Sequence, residues 1–242
     1  MFSLKGKRAL ITGSTQGIGY AMARAFIEYG AEVFIHCSSD DEKAKKIAEE
    51  LGSGLYVTGD LGEDDCVGRL FEVTGECDIV VANASVQIRA PWEEITAEAL
   101  DRQMKVNFRS TLELMQTYIP PMQRKGWGRF LAVGSVQQYR PHPQMAVYSA
   151  SKCAIQSLVE NIAKQVAPDG VTVNNLVPGV IATPRNAAAL EDESYKAKVL
   201  CGIPVGFLGE PCDCAGAAIL LCSDAGRYIT GIELPVDGGM KL

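Results

Sequence analysis

The chain is short of the residues that build several kinds of site. Among its 242 residues there are two histidines and two tryptophans, and aromatic residues make up 7 %. Two imidazoles, His36 and His142, leave little for a histidine-based metal centre. The eight cysteines do not supply one either. Their tightest pair is the C-x-C of Cys212 and Cys214, and no C-x-x-C pair completes a ligand set, so no metal site is expected. The other thiols stand singly in apolar or helical stretches, where cysteine behaves as a small hydrophobe, and reduced, unbridged thiols are expected. Basic residues are outnumbered, 23 Lys and Arg against 29 Asp and Glu, for a net charge of −6. That balance lacks the basic footprint of a nucleic-acid binder and favours solubility. No apolar run is long enough to cross a bilayer. The opening segment MFSLKGKRALITG runs into a strand without the apolar core of a signal peptide, so a cytoplasmic location is expected. The triplet Asn83-Ala84-Ser85 matches a glycosylation acceptor, but it follows a strand in a chain read as cytosolic and is a chance match.

Hydrophobic residues make up 47 %, ordinary for a globular protein. They fall in short β-rich runs: RALIT at 8–12, EVFIH at 32–36, GLYVT at 54–58, DIVVA at 78–82, RFLAV at 129–133, TVNNLV at 172–177 and IELPV at 232–236. Runs without strict alternation suit strands covered on both faces. Between them lie helical candidates near 18–29, 41–51, 63–73, 96–124, 148–166, 187–200 and 211–223. Repeated strand–helix alternation predicts an α/β fold, a Rossmann-type doubly wound parallel sheet of about seven strands with helices on both faces. No linker, repeat or low-complexity segment interrupts it, which predicts a single domain over 1–242. The Gly- and Pro-richer excursion at about 178–211 is long for a connection and reads as a lid.

The first strand feeds into Thr12-Gly13-Ser14-Thr15-Gln16-Gly17-Ile18-Gly19. Gly13 permits a tight turn, while Gly17 and Gly19 let backbone approach a pyrophosphate and a helix pack on the sheet. The following helix would offer its free N–H groups to the anion. The spacing is G-x-x-x-G-x-G rather than G-x-G-x-x-G, and no Gly-Lys-Ser/Thr ending makes it a nucleoside-triphosphate loop. On the glycines alone, a turn that merely closes a strand–helix unit remains an alternative.

Tyr148-Ser149-Ala150-Ser151-Lys152 opens a predicted helix, and residues four apart share a helix face. A free tyrosine ionises near pH ~10, too high for a base at neutral pH. An adjacent ammonium favours the phenolate. Such a tyrosine can protonate a carbonyl oxygen or deprotonate an alcohol. A surface Tyr–Lys pair is the bland alternative. Ser135 argues against it: the residue lies just past the strand RFLAV, where parallel sheets bind ligands, and its hydroxyl can hold a reacting oxygen beside the tyrosine.

Taken in order, TGSTQGIG at 12–19, Asp60, NAS at 83–85, Asn107 in KVNFRS, Ser135, YSASK at 148–152, Pro178-Gly179, Thr183 and LPVDGG at 234–239 resemble the short-chain dehydrogenase/reductase family, in its single-domain branch. The resemblance covers nearly the whole chain. It implies an enzyme moving a hydride between NAD(P)(H) and a carbonyl or secondary alcohol, and a homotetramer built on the long helices near 107–124 and 148–166. It implies Tyr148 as acid/base, and Lys152 as its partner and a ribose ligand. Ser135 would orient the reacting oxygen, and Asn107 would support a water beside Lys152. The cofactor would be held by Gly13, Ser14, Gln16, Gly17, Ile18, Gly19, Ser38, Asp60, Leu61, Asn83, Tyr148, Lys152, Pro178, Gly179, Ile181 and Thr183, with Asp60 accepting from the adenine amine. The cofactor supplies the hydride, and the protein supplies position and proton handling.

Three departures matter. Ser85 stands where the family has glycine. Phe207, in PVGFLGEP at 204–211, stands where arginine is common. At the end of the second strand, where an acid would bind a ribose 2′-hydroxyl and repel a 2′-phosphate, the residue is Cys37, followed by Ser38 and Ser39. NADP(H) is therefore favoured over NAD(H), although Gln16 replaces the basic residue many NADP enzymes carry in the turn. On the substrate side, the polar stretch of Gln137, Tyr139, Arg140 and His142 suggests a small polar or anionic substrate of sugar-acid or keto-acid type, with solvent-facing loop decoration as the alternative. Arg89 is a further substrate-side candidate, but many family members share it and it discriminates little. A 3-oxoacyl-carrier-protein reductase is a second reading. A non-catalytic nucleotide-binding regulator is a third on the same fold, but it would be expected to have lost part of the Asn107, Ser135, Tyr148 and Lys152 set. A methyltransferase would leave YSASK unexplained.

Overall fold

Seven apolar runs form the seven strands of one parallel sheet. The computed structural model describes all 242 residues. The strands are β1 (Arg8–Ile11), β2 (Glu32–Cys37), β3 (Tyr56–Thr58), β4 (Ile79–Ala82), β5 (Gly128–Val133), β6 (Val171–Pro178) and β7 (Glu233–Val236). Their order is β3-β2-β1-β4-β5-β6-β7, and every pairing is parallel. Each residue of β4, β5 and β6 is buried, which is why β4 reads as a continuous apolar run, while β5 buries Arg129 and β6 buries Thr172, Asn174 and Asn175 within the sheet.

The helices are α1 (Gly17–Glu28), α2 (Asp41–Glu50), α3 (Cys66–Thr74), α4 (Ala97–Gln103), α5 (Ser110–Lys125), α6 (Ala146–Val166), α7 (Pro184–Leu190), α8 (Glu193–Cys201) and α9 (Pro211–Cys222). Alternate strand residues feed two apolar layers. Leu10, Val80 and Phe130 join Leu114, Tyr118 and Ile155 of α5 and α6 on one face. Ile11, Val81 and Leu131 join Met22, Phe26 and Ile219 of α1 and α9 on the other. Truncating a buried anchor such as Phe26 to alanine costs ~3–5 kcal/mol. No helix is long and apolar enough to cross a membrane, and all eight cysteines are unpaired.

Two helical spans differ from the periodicity. The stretch expected as one helix over 96–124 contains a π-helical turn, Met104–Arg109, between α4 and α5. There the Ser110 hydroxyl donates to the Val106 carbonyl (2.7 Å) and Thr111 to the Asn107 carbonyl (2.9 Å), so side chains occupy acceptors next to the widened turn. The stretch expected over 187–200 is two helices, because the Asp192 carboxylate accepts from the backbone of Ser194 and Tyr195 and starts α8 afresh. The sheet order reverses between β1 and β4. The carboxyl ends of the strands open a crevice at that switch point.

Candidate active site

The turn after β1 is built for a close ligand. Gly13 and Gly17 hold left-handed backbone, φ +63° and +59°, which favours glycine. A side chain on Gly19 would strike the Gly13 carbonyl and come within 2.6 Å of the Asn83 amide nitrogen, so Gly19 is required by the packing of α1 on the sheet. The Asn83 amide donates to the carbonyls of Thr12 (2.9 Å) and Gly13 (3.1 Å) and ties β4 to the turn. From the other side comes His36. Its Nδ1 accepts from the Gly13 N–H at 3.0 Å, and its Nε2 lies 3.0 Å from the Gly59 carbonyl. Burial pushes the imidazole down to about 4, so it is neutral at physiological pH and able to accept on Nδ1.

Around this turn lies a cavity of about 460 Å³. Gly13, Gln16, Gly17, Ile18, Gly19, Ser38, Asp60, Leu61, Asn83, Pro178, Gly179, Ile181 and Thr183 line it, together with Ser135, Tyr148 and Lys152. Two expected members stand behind the wall. Ser14 is fully buried, and its hydroxyl accepts from the His36 N–H at 2.9 Å. It shapes the turn rather than facing a ligand, a correction to the sequence reading. Asn107, in the π-helical turn, is also buried. Its side chain grips both backbone groups of Val86 (2.8 and 2.9 Å) and donates to the Ser151 hydroxyl at 3.1 Å. It thereby joins the loop after β4 to the helix that carries Lys152.

Tyr148 and Lys152 lie one turn apart on α6, both buried. The ammonium donates to the Val133 carbonyl at 2.7 Å and lies 5.7 Å from the centre of the Tyr148 ring. Burial, and then the Arg185 guanidinium, lower the lysine from its ordinary 10.5 to about 7. Ser135 caps the short 3₁₀ turn Val136–Gln138, which places its hydroxyl at the mouth of β5 within the same cavity.

At one end of the cavity stand Gln16, Cys37, Ser38 and Lys43. Lys43 was not singled out from the sequence. It projects from the first turn of α2 and donates to the Gln16 amide oxygen at 3.1 Å. The adjacent acids turn elsewhere: Asp40 caps α2 by accepting from the Lys43 N–H, and Asp41 approaches the hydroxyls of Tyr56 and Thr58. Asp60 binds Arg102 at 2.8 Å, and this pairing helps hold its carboxyl below the usual range against the opposing effect of burial.

Ser85, Arg89, Gln137 and Arg185 also line the cavity. Arg185, on α7, was also missed. Its guanidinium crosses to the Ser85 hydroxyl (3.0 Å) and carbonyl (2.7 Å). Arg140 and His142 do not line the cavity. Arg140 donates to the carbonyls of Gly202 and Met240 and ties the end of α8 to the C-terminal turn. His142 is a neighbour of Arg89 and Lys198; burial, helped by both cations, pushes its pKa down. Their expected place beside a substrate is thus replaced by a scaffold role for Arg140 and a peripheral position for His142.

A glycine cradle, a crevice at the switch point and a paired tyrosine and lysine fit a dinucleotide and the reaction of a carbonyl or alcohol beside it. Comparison with known proteins agrees. A family model described as enoyl-(acyl carrier protein) reductase matches residues 13–241. The 3beta-hydroxysteroid dehydrogenase 1 of Eggerthella lenta is 36% identical over 99% of this chain and 95% of its own length. A 3-oxoacyl (acyl-carrier-protein) reductase of Agrobacterium tumefaciens, solved with NADP, superposes with a TM-score of 0.93 at 34% identity, covering 98% and 95% of the two chains. A gluconate 5-dehydrogenase of Burkholderia cenocepacia, solved with NADP and tartrate, gives 0.91 at 32% identity, covering 99% and 96%. The chain belongs to the short-chain dehydrogenase/reductase family, as an NAD(P)-dependent oxidoreductase acting on CH–OH groups.

Proposed function

We propose that this enzyme prefers NADP(H) and interconverts the hydroxyl and keto forms of a small anionic substrate, of sugar-acid or keto-acid type. One observation carries the reading. The cavity is lined by Lys43, Arg89, Arg102, Lys152 and Arg185, and its one acidic residue, Asp60, is already paired with Arg102, in a chain of net charge −6. A cationic cleft in an acidic protein concentrates anions. Lys43, with Ser38 and Gln16, suits a 2′-phosphate. Arg89 and Arg185 line the same cavity as Tyr148 and Lys152 and suit a carboxylate.

In this reading the turn after β1 and the start of α1 would hold the diphosphate, and Lys152 would hold the ribose. A nicotinamide bound there would supply or accept the hydride. Tyr148 gives its phenolic proton to the forming alkoxide oxygen in reduction and takes it back in oxidation. Ser135 holds the same oxygen by a hydrogen bond. Lys152 would stabilise the phenolate and relay a proton to solvent in oxidation and from solvent in reduction, through a water that Asn107 would support. The segment between β6 and α9, with α7 and α8, closes over the substrate and excludes water. The whole chain acts as one catalytic domain. We place it in the cytoplasm, in keeping with its free thiols, and as a homotetramer on the strength of the family resemblance.

The test is oxidation of gluconate against glucose with NADP⁺. Preference for the acid supports the reading; equal or better use of the uncharged sugar contradicts it. A carrier-bound 3-oxoacyl substrate is the second reading. It is favoured by the likeness to the Agrobacterium reductase, and reduction of an acetoacetyl thioester tests it.

A further inference from the structure

Ser135 is held from a distance. Its N–H donates to the Gln138 Oε1 at 3.0 Å, and its hydroxyl accepts from the Gln137 N–H at 3.2 Å. The other end of the Gln138 amide donates to Glu233 Oε1 at 2.7 Å. Glu233, on the last strand, receives the Tyr139 hydroxyl on its second oxygen. Lys241 lies 4.0 Å from the centre of the Tyr139 ring. Neither Gln138 nor Glu233 lines the cavity.

This arrangement dictates which way the Gln138 amide faces. Its NH₂ must meet the carboxylate, so its oxygen must meet Ser135. A flipped amide would set donor against donor at Ser135 and acceptor against acceptor at Glu233. The neighbour Gly134 leaves room for it, since a side chain there would collide with the Gln138 oxygen and with Asn175. Both oxygens of Glu233 are engaged, so the carboxylate is fixed in turn.

We propose that Gln138 and Glu233 are positioning residues for Ser135: β7, through this relay, sets the backbone turn that aims the catalytic hydroxyl. The inference rests on Ser135 orienting the reacting oxygen. It predicts that the relay affects turnover through Ser135 and not through cofactor binding.

The experiment compares Gln138→Leu, Gln138→Glu, Glu233→Gln, the double variant Gln138→Glu/Glu233→Gln, and Ser135→Ala with and without Gln138→Leu. Activity is read with whichever of gluconate, glucose or a 3β-hydroxysteroid the wild type turns over fastest, alongside cofactor Kd and melting temperature. Gln138→Leu is expected to lower kcat ~10- to 100-fold, the scale of a small misplacement of a reacting group, with cofactor Kd held. In the Ser135→Ala background the same change should cost less than about twofold, because coupled residues are non-additive. Gln138→Glu alone opposes two carboxylates across a 2.7 Å contact and should be inactive. Glu233→Gln alone should be mild, as the Tyr139 hydroxyl can turn to accept. The double variant restores every donor–acceptor match and should recover activity to within about threefold of wild type.

Unchanged kcat in Gln138→Leu overturns the proposal. So does an equal loss in the Ser135→Ala background, or a double variant that regains wild-type melting without turnover. Full activity in Ser135→Ala alone would instead overturn the role given to Ser135, and this inference with it.

Discussion

Replacing Lys43 with methionine should separate the two cofactors. The ammonium stands in the cavity beside Ser38 and Gln16, with no acid between it and the space at the end of β2. A unit charge pair about 4 Å apart is worth roughly 1 kcal/mol in water and about 4 kcal/mol at the effective permittivity of a protein surface. A phosphomonoester carries nearly two charges, but Lys43 is only half-buried, and solvent screens it. The net loss should be ~1.5–2.5 kcal/mol, or roughly 10- to 70-fold in NADPH Kd. NADH has no 2′-phosphate and should shift less than about twofold. Lys43→Glu should widen the gap further, and added salt should shrink the wild-type preference. Titration of purified protein by nicotinamide fluorescence reads both constants. An equal loss for NADPH and NADH, or no loss for either, would refute the assignment of this end of the cavity to the phosphate.

The remaining predictions concern the two buried bases and one glycine. Replacing His36 with phenylalanine removes the acceptor that holds the Gly13 N–H and should weaken NADPH and NADH alike, by about tenfold for one buried hydrogen bond, in contrast to Lys43. The His36 pKa in the fold is about 4, below its unfolded value. The unfolded chain therefore takes the proton first, and stability should fall as pH drops from about 6.5 toward 4. Thermal melts of the His36 variant should lose that part of the slope. Lys152 obeys the same sign at higher pH. It falls from 10.5 to about 7 on folding, so the unfolded chain holds the extra proton between those values. Stability from this group should rise with pH across that window, and Lys152→Met should flatten the rise. Gly19→Ala forces a methyl against the Gly13 carbonyl and the Asn83 amide. Overpacking of ~1–3 kcal/mol should lower the melting temperature by roughly 3–10 °C, and differential scanning calorimetry would show it.

The strands were legible because a parallel sheet buries both faces. The seven apolar runs needed only to be located, and their parallel pairing followed from strand–helix alternation. The Tyr148–Lys152 pair was legible because helical spacing puts both on one face of α6, and the strand-end position of Ser135 brought it alongside. Nearness in the chain misled where loop direction mattered. Gln137, Arg140 and His142 lie in one stretch, yet the 3₁₀ turn after Ser135 sends Gln137 into the cavity and Arg140 out to the Gly202 and Met240 carbonyls. Lys43 was hidden because its claim depends on how α2 leans over Gln16, which no local pattern records. Arg185 meets Ser85 across 100 positions, and Glu233 meets Gln138 across 95. Such contacts arise only when strand order and lid path are both known. The π-helical turn at Met104–Arg109 gave no periodic signal, since one extra residue per turn hardly disturbs a pattern that continues on both sides.

On the proposed reading, Tyr148 moves the proton in an enzyme whose cofactor site is otherwise self-sufficient. The direct measurement is NADPH binding and turnover by Tyr148→Phe beside wild type, on the fastest substrate of the gluconate, glucose and steroid panel. The expected result is a Kd within about twofold of wild type, since the ring remains, and a loss in kcat of ~10²–10⁴-fold, the usual worth of a positioned acid/base. Turnover within a few-fold of wild type would contradict it and place the proton transfer on another group.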